Sequence, residues 1–259
     1  MRRSRFLIVL VLVGGAARLE AQALETEDAR TLPAGRVIVG YNLEYQTSSA
    51  GREIAIPFSG EIGLTNRLEF LIEPVPYTSI RPKAGPRATG AGDMEATLIG
   101  LVAQERGGRP AIALGAEVKF PTAHNTLVGT GKSEIAGYLI LSKHFGARWD
   151  THFNAGYTIQ GKPAGASVGN LLSGAFAVQF HLTPATEVFS EVLANTTTGA
   201  SGPENVLNPE VAGGEVFGSV GLGHNFTTGL FGSVSLTTTT AGPSWCARVS
   251  PCASIDGVR

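Results

Sequence analysis

Between Glu53 and Tyr77 apolar and polar residues alternate with period two. Ile54, Ile56, Phe58, Ile62 and Leu64, then Leu68, Phe70 and Ile72, hold the even positions, while Glu53, Ser59, Glu61, Arg67, Glu69 and Glu73 hold the odd ones. That period marks a strand with one apolar and one polar face. The break at Thr65, Asn66 and Arg67 predicts a hairpin with Leu64 opposite Leu68 and Ile62 opposite Phe70, so that both arms share an apolar face. Asn66 at its tip suits a left-handed turn position. Each arm is about as long as the ~9–11 residues that a tilted strand needs to cross a bilayer.

The same pattern recurs along the chain. Val37, Val39, Tyr41, Leu43 and Tyr45 oppose Gly40, Asn42, Glu44 and Gln46, and further strands are predicted over 93–105, 111–121, 133–144, 149–160, 170–182, 186–195, 215–226 and 230–240. The segment 133–144 is apolar on both faces, and a last strand from Pro243 onward has the weakest pattern. Short turns are expected at Thr65, Gly107, Gly146, Pro184 and Thr228, and mostly longer loops over 47–52, 77–92, 121–132, 160–169 and 195–213. Long loops at one end and short turns at the other characterise outer-membrane barrels. Alternation alone fits a lipocalin-like barrel with its apolar face inward equally well. Spanning strand lengths, loop asymmetry and aromatics near strand ends (Tyr45, Phe120, Trp149, Phe226) favour the membrane. The predicted fold is all-β, an antiparallel up-and-down transmembrane β-barrel of about 12 strands.

Composition sharpens this picture. Charged residues make up 16% of the 259 residues and glycines number 34, which suits alternating apolar and small polar positions. Arg2, Arg3 and Arg5 precede an apolar run from Phe6 to Ala17, and Ala21-Gln22-Ala23 supplies a small-x-small cleavage pattern. Residues 1–23 are therefore expected to be a secretory signal peptide, residues 24–245 a barrel domain and residues 246–259 an atypical tail. The segment from Leu24 to Gly35 reads as a polar lead-in. Without residues 1–23 the chain has 16 basic and 20 acidic residues, net −4, and no nucleic-acid partner is expected. Cys246 and Cys252 could pair in an oxidising compartment.

Five stretches carry a family likeness: TLPAGRVIVGYNLEY, GLTNRLEFLIEPVPY, GAGDMEATLIG, ALGAEVKFPTAHN and HFNAGY. Spanning most of residues 30–160, with weaker similarity to about Trp245, the chain resembles the outer-membrane transporter family named for the MetA pathway of phenol degradation. The resemblance implies a barrel in the bacterial outer membrane that passes small hydrophobic or aromatic compounds, and it carries over no catalytic residues. Such barrels end on a strand closing with an aromatic residue. This chain ends CARVSPCASIDGVR, which leaves closure open.

Candidate chemistry is sparse. Gly165 to Gly169 spells G-x-S-x-G around Ser167, but a strand rather than a helix is expected to follow. Gly131-Lys132-Ser133 resembles the end of a phosphate-binding loop but has Thr126 where the first glycine belongs. His152 and Asn154 share a polar face, which raises a lipid hydrolase, yet that strand offers no serine. No metal spacing and no cofactor motif is present. The informative set is the polar face itself: Glu44, Glu53, Glu61, Arg67, Glu69, Glu73, Asp93, Glu95, Glu117, Lys119 and His152. Lining a wet lumen, these carboxylates would favour cations; paired with basic residues across the wall, they would plug it. The function expected is passive passage of small solutes without enzymatic chemistry, and the alternative is a closed structural or adhesive barrel acting through its external loops. An apolar mouth for solutes is expected at Leu127 and Val128 or at Val206 and Leu207. Expected partners are outer-membrane lipids, a small-molecule solute and the barrel insertion machinery.

Overall fold

The computed structural model describes residues 24–48, 51–162, 169–198, 216–227, 229–239 and 245–255. The predicted signal peptide, the Ser167 motif, the Val206–Leu207 patch and most of the 195–213 loop lie outside these residues. Every described regular element is a strand: β1 (Val37–Tyr41), β2 (Leu43–Thr47), β3 (Gly51–Ile56), β4 (Phe58–Thr65), β5 (Leu68–Pro74), β6 (Tyr77–Pro82), β7 (Ala88–Gly90), β8 (Met94–Ala103), β9 (Ala111–Phe120), β10 (Glu134–Phe145), β11 (Trp149–Ile159), β12 (Asn170–Thr183), β13 (Thr186–Thr198), β14 (Val216–Thr227), β15 (Leu230–Thr239) and β16 (Trp245–Ile255). All pairings are antiparallel.

The first eight elements are halves of four strands, so the barrel has 12. One break has a clear cause: Pro57, between β3 and β4, has no N–H to give its neighbour, and only the bond from Asn42 N–H to the Pro57 carbonyl, 2.8 Å, crosses there. The sheet closes on itself. β16 pairs with β15 on one side and with β1 and β2 on the other, with Val37 opposite Ile255 and Leu43 opposite Val249. The weakest stretch of the pattern thus supplies the closing strand, because ladder hydrogen bonds ask little of side chains.

The exposed large side chains decide which way the barrel faces. Leu98, Val102, Leu114, Ile135, Phe153, Tyr157, Phe176, Val192, Val220, Leu236 and Val249 stand outward, 41–57% exposed, while Glu61, Thr97, Ser142, Asp150, His152, Glu191 and Ser235 on the alternate positions are buried inside. The apolar surface therefore faces lipid and the polar one the lumen, the reverse of a lipocalin. Phe120 marks one end of the band, and Phe145, Trp149 and Phe226 the other. Trp149 stacks against Phe180 with centroids 4.5 Å apart.

Three turns share one device. Leu64-Thr65, Leu182-Thr183 and Phe226-Thr227 each follow a shift of register, and the threonine Oγ1 accepts the N–H two residues on, from Arg67 (3.1 Å), Ala185 (3.2 Å) and Gly229 (3.2 Å). The bulge corrects the expected pairing: Ile62 does oppose Phe70, but Thr65 rather than Leu64 opposes Leu68. Asn66 also does without a left-handed backbone, since positive φ occurs only at glycines among the described residues. The predicted loop over 77–92 is largely strand, β6 and β7 with a connection over 83–87, and of the predicted 47–52 loop Thr47 ends β2 while Gly51 and Arg52 open β3. Pro82, Pro86 and Gly85 hid that extension. Cys246 and Cys252 lie six residues apart on one extended strand, roughly 20 Å, far beyond disulfide reach.

Candidate functional site

The lumen is occupied by the chain's own lead-in. Residues 24–35 enter beside the short turns and run up inside the barrel, and their backbone groups, lacking sheet partners, are met by wall side chains. Ala34 N–H donates to Asn66 Oδ1 (3.0 Å), Leu32 N–H to Glu69 Oε2 (2.6 Å), Ala29 N–H to Ser142 Oγ (2.9 Å) and Thr26 N–H to Glu191 Oε1 (2.6 Å). With its amide turned so that the oxygen faces Glu27 N–H, Asn154 accepts from that N–H (2.6 Å) and donates to the Glu27 carbonyl (3.1 Å). A buried irregular segment must satisfy its peptide groups somewhere. Here the inner wall is the partner, which explains why Asn, Ser and Glu recur on it.

Side chains complete the attachment. Arg30 bonds Asp28 (2.7 Å) and Asp150 (3.1 Å), and Asp150 is also reached by His144 (3.0 Å) and His181 (3.1 Å). Arg248 ties Glu44 (2.6 Å) on β2 to Glu25 of the segment. Ala29 packs against Ile99, Ala111, Ala113 and Ile140, and this contact is why β10 reads apolar on both faces. Leu24 packs against Ile38, Ala177, Phe189, Phe231 and Cys252. Gly63 makes room at the entrance: a Cβ there would lie 2.1 Å from the Pro33 carbonyl oxygen and 2.6 Å from that of Leu32.

The eleven residues singled out from sequence are dispersed by this arrangement. Glu69 and Glu44 serve the segment as described, and His152 is 3% exposed, with Nδ1 2.9 Å from Ser142 Oγ and 3.9 Å from Asp28, and Nε2 3.0 Å from Gln179 Oε1. Glu61 is buried opposite Ile38; Glu73 and Glu95 face each other across β5 and β8; Glu117 accepts from Thr97 (3.3 Å); Lys119 pairs with Glu134. Glu53 sits opposite Gln46, and Asp93 accepts the Ala123 N–H (3.0 Å), pinning the loop after β9. Arg67 is not on the wall: it is exposed in the turn between β4 and β5. Asp150, Asn154, Glu187, Glu191 and Arg248 belong to the inner wall and were not in that set, although Glu187 and Glu191 already share one strand face in the sequence.

The serine absent from the His152 strand is supplied by the next one, for Ser142 is its cross-strand partner. The pair is sealed nonetheless. Ser142 is 1% exposed and accepts the Ala29 N–H, so it is covered while residues 24–35 are seated. Gly131-Lys132-Ser133 leads into β10, a strand, and offers no helix N-terminus to a phosphate.

At the end with the short turns, a cavity of about 480 Å³ opens between Arg30, Asn66, Leu101, Glu105, Ala111 and His144. Glu105, in the turn after β8, bonds Lys143 and His144 Nδ1 (2.9 Å). Partial desolvation raises its pKa, but the hydrogen bonds from Lys143 and His144 outweigh that and hold it down at about 2.

The architecture matches solved outer-membrane proteins. The KdgM porin, solved in complex with disordered oligogalacturonate, aligns with a TM-score of 0.58 at 11% identity over 84% of this chain and 99% of its own. The NanC porin aligns with a TM-score of 0.59 at 9% identity over 82% and 98%. No curated protein matches in sequence. A family profile covers residues 35–245, and the chain belongs to that family, described as "Putative MetA-pathway of phenol degradation".

Proposed function

We propose that the protein is a passive outer-membrane transport barrel for small, weakly polar solutes of the aromatic kind that the family description names. The observation that carries this reading is the arrangement of faces: apolar band outward, polar and hydrogen-bonding wall inward. A fold used only as an anchor has no need of so differentiated an interior. Oligogalacturonate, with which the KdgM porin was solved, is acidic, and this lumen suits it poorly. The wall from β4 to β9 carries Glu61, Glu69, Glu73, Glu95 and Glu117, while Lys119 is engaged by Glu134. A polyanion would meet net negative potential there, whereas cations and neutral solutes would not.

The closed-barrel alternative is favoured by one observation, the filling of the lumen by residues 24–35. Transport on our reading requires that segment to withdraw, fully or at its tip. Planar-bilayer recording under a salt gradient separates the two. The expected result is small, intermittent, cation-selective openings from the full chain and large steady ones when residues 24–34 are deleted. Silence from both proteins, with folding into the bilayer demonstrated by heat-modifiable migration, overturns transport and leaves a closed barrel acting through its external loops.

A further inference from the structure

Besides the group around Ala29, the described residues form a second apolar recess inside the barrel, where Leu24 clusters with Ile38, Ala177, Phe189, Phe231 and Cys252 and Leu32 packs against the group. Its floor is built with care. Phe189 and Phe231 lie across β14, where Gly221 and Gly223 leave them space; a Cβ would stand 2.2 Å and 2.6 Å from the two ring Cζ atoms. At its rim Glu191, directly opposite Ala177, receives Thr26 N–H (2.6 Å), the Thr26 hydroxyl, Glu25 N–H (3.3 Å) and Ser219 Oγ–H (3.3 Å). When residues 24–26 leave, Glu191 keeps only the Ser219 bond of these four, and the cluster around the two phenyl rings loses Leu24. Both losses are costly in a buried place.

We propose that this recess is the solute-binding site of the barrel and that residues 24–26 occupy it as a built-in surrogate. Leu24 stands for the body of the ligand, and the Thr26 hydroxyl, donated to Glu191, stands for its polar group. The ligand class that fits is a small neutral molecule with an apolar, ring-sized body and one hydroxyl donor. A carboxylate in place of the hydroxyl would face Glu191 and be refused. The inference rests on the transport reading for its meaning, but it concerns binding and can be judged separately.

The Cys252 thiol reports on the recess. With Cys246→Ser as background, the full chain folded in detergent micelles is treated with a maleimide, and the labelling rate of Cys252 is followed. Leu24→Gly is expected to raise that rate about tenfold or more, with Leu24→Ala as the milder variant. Phenol should then slow labelling saturably, toluene more weakly and benzoate not at all. Glu191→Gln should erase most of the phenol advantage over toluene, about tenfold for a hydrogen bond to a charged group. Ala177→Phe, which fills the recess, should abolish protection. Phenol protection that survives Ala177→Phe, protection by benzoate equal to that by phenol, or a thiol that stays closed in heat-modifiable Leu24→Gly and Leu24→Ala would each overturn the assignment. Binding without any conductance would retain the site and remove only the transport reading.

Discussion

At the scale of single residues the lumen is decided by what is small and what is charged. Gly63 touches the backbone of Leu32 and Pro33 and exchanges bonds with its neighbours: Gly35 N–H donates to its carbonyl (2.7 Å), and its own N–H donates to Arg36 (3.0 Å). A methyl group cannot be accommodated by moving a side chain, because both neighbours are carbonyl oxygens. Gly63→Ala is therefore expected to push residues 24–35 off the wall while the ladder survives, giving a leak several times larger than that of the parent in bilayer recordings; an unchanged leak would show that the segment tolerates the shift. Glu105 offers a test by pH. Its folded pKa, about 2, lies below the ordinary 4.5, so its contribution to stability is present above about 4.5 and is lost as pH falls through 2. Glu105→Gln should cost at most about 1 kcal/mol at pH 7, and the difference from the parent in thermal unfolding should close between pH 4.5 and 2. A gap that persists at pH 2 would mean the side chain acts by packing.

At the scale of elements, strands were legible and the segment inside them was not. Period-two alternation located β8, β9 and β11 closely, since each has one face in lipid and one in the lumen. β6 and β7 escaped because proline and glycine dominate their local sequence, and β16, expected from Pro243 onward, was only weakly marked because its place is set by ladder partners about two hundred positions away on β1 and β2. Residues 24–35 have no period at all. Their partners lie 32–166 positions further along, and no local rule connects Thr26 to Glu191. Thus the wall carboxylates could be chosen from sequence, while their work, binding peptide N–H groups, could not. The repeated turn is different, for its apolar-Thr pair can be read directly at Leu64-Thr65, Leu182-Thr183 and Phe226-Thr227. Thr183→Val removes one hydrogen bond of 3.2 Å and keeps the shape. It is expected to cost about 0.5–1.5 kcal/mol in urea unfolding from lipid vesicles. A loss no larger than that of an exposed Thr→Val control would assign the turn to its bulge alone.

At the scale of the whole molecule, the argument depends on the orientation of one surface. The same alternating pattern builds a soluble barrel when its apolar face turns inward, and the two answers make opposite statements about a single position. Val220, midway along β14, is 57% exposed, and the flanking Ser219 is buried at 7%. With lipid outside, Val220→Arg places a guanidinium near the bilayer midplane and should lower the stability of the folded barrel in vesicles by about 2–4 kcal/mol, whereas Val220→Leu should change it little. Were this exposed band in water rather than lipid, the arginine would be accepted at no cost. Because β14 is hydrogen-bonded on both sides, by β13 and β15, the outward arginine has no inward refuge to swing into. Urea refolding of both variants into vesicles therefore tests the face assignment on which the lumen, the seated N-terminal segment and the recess beneath Leu24 all depend.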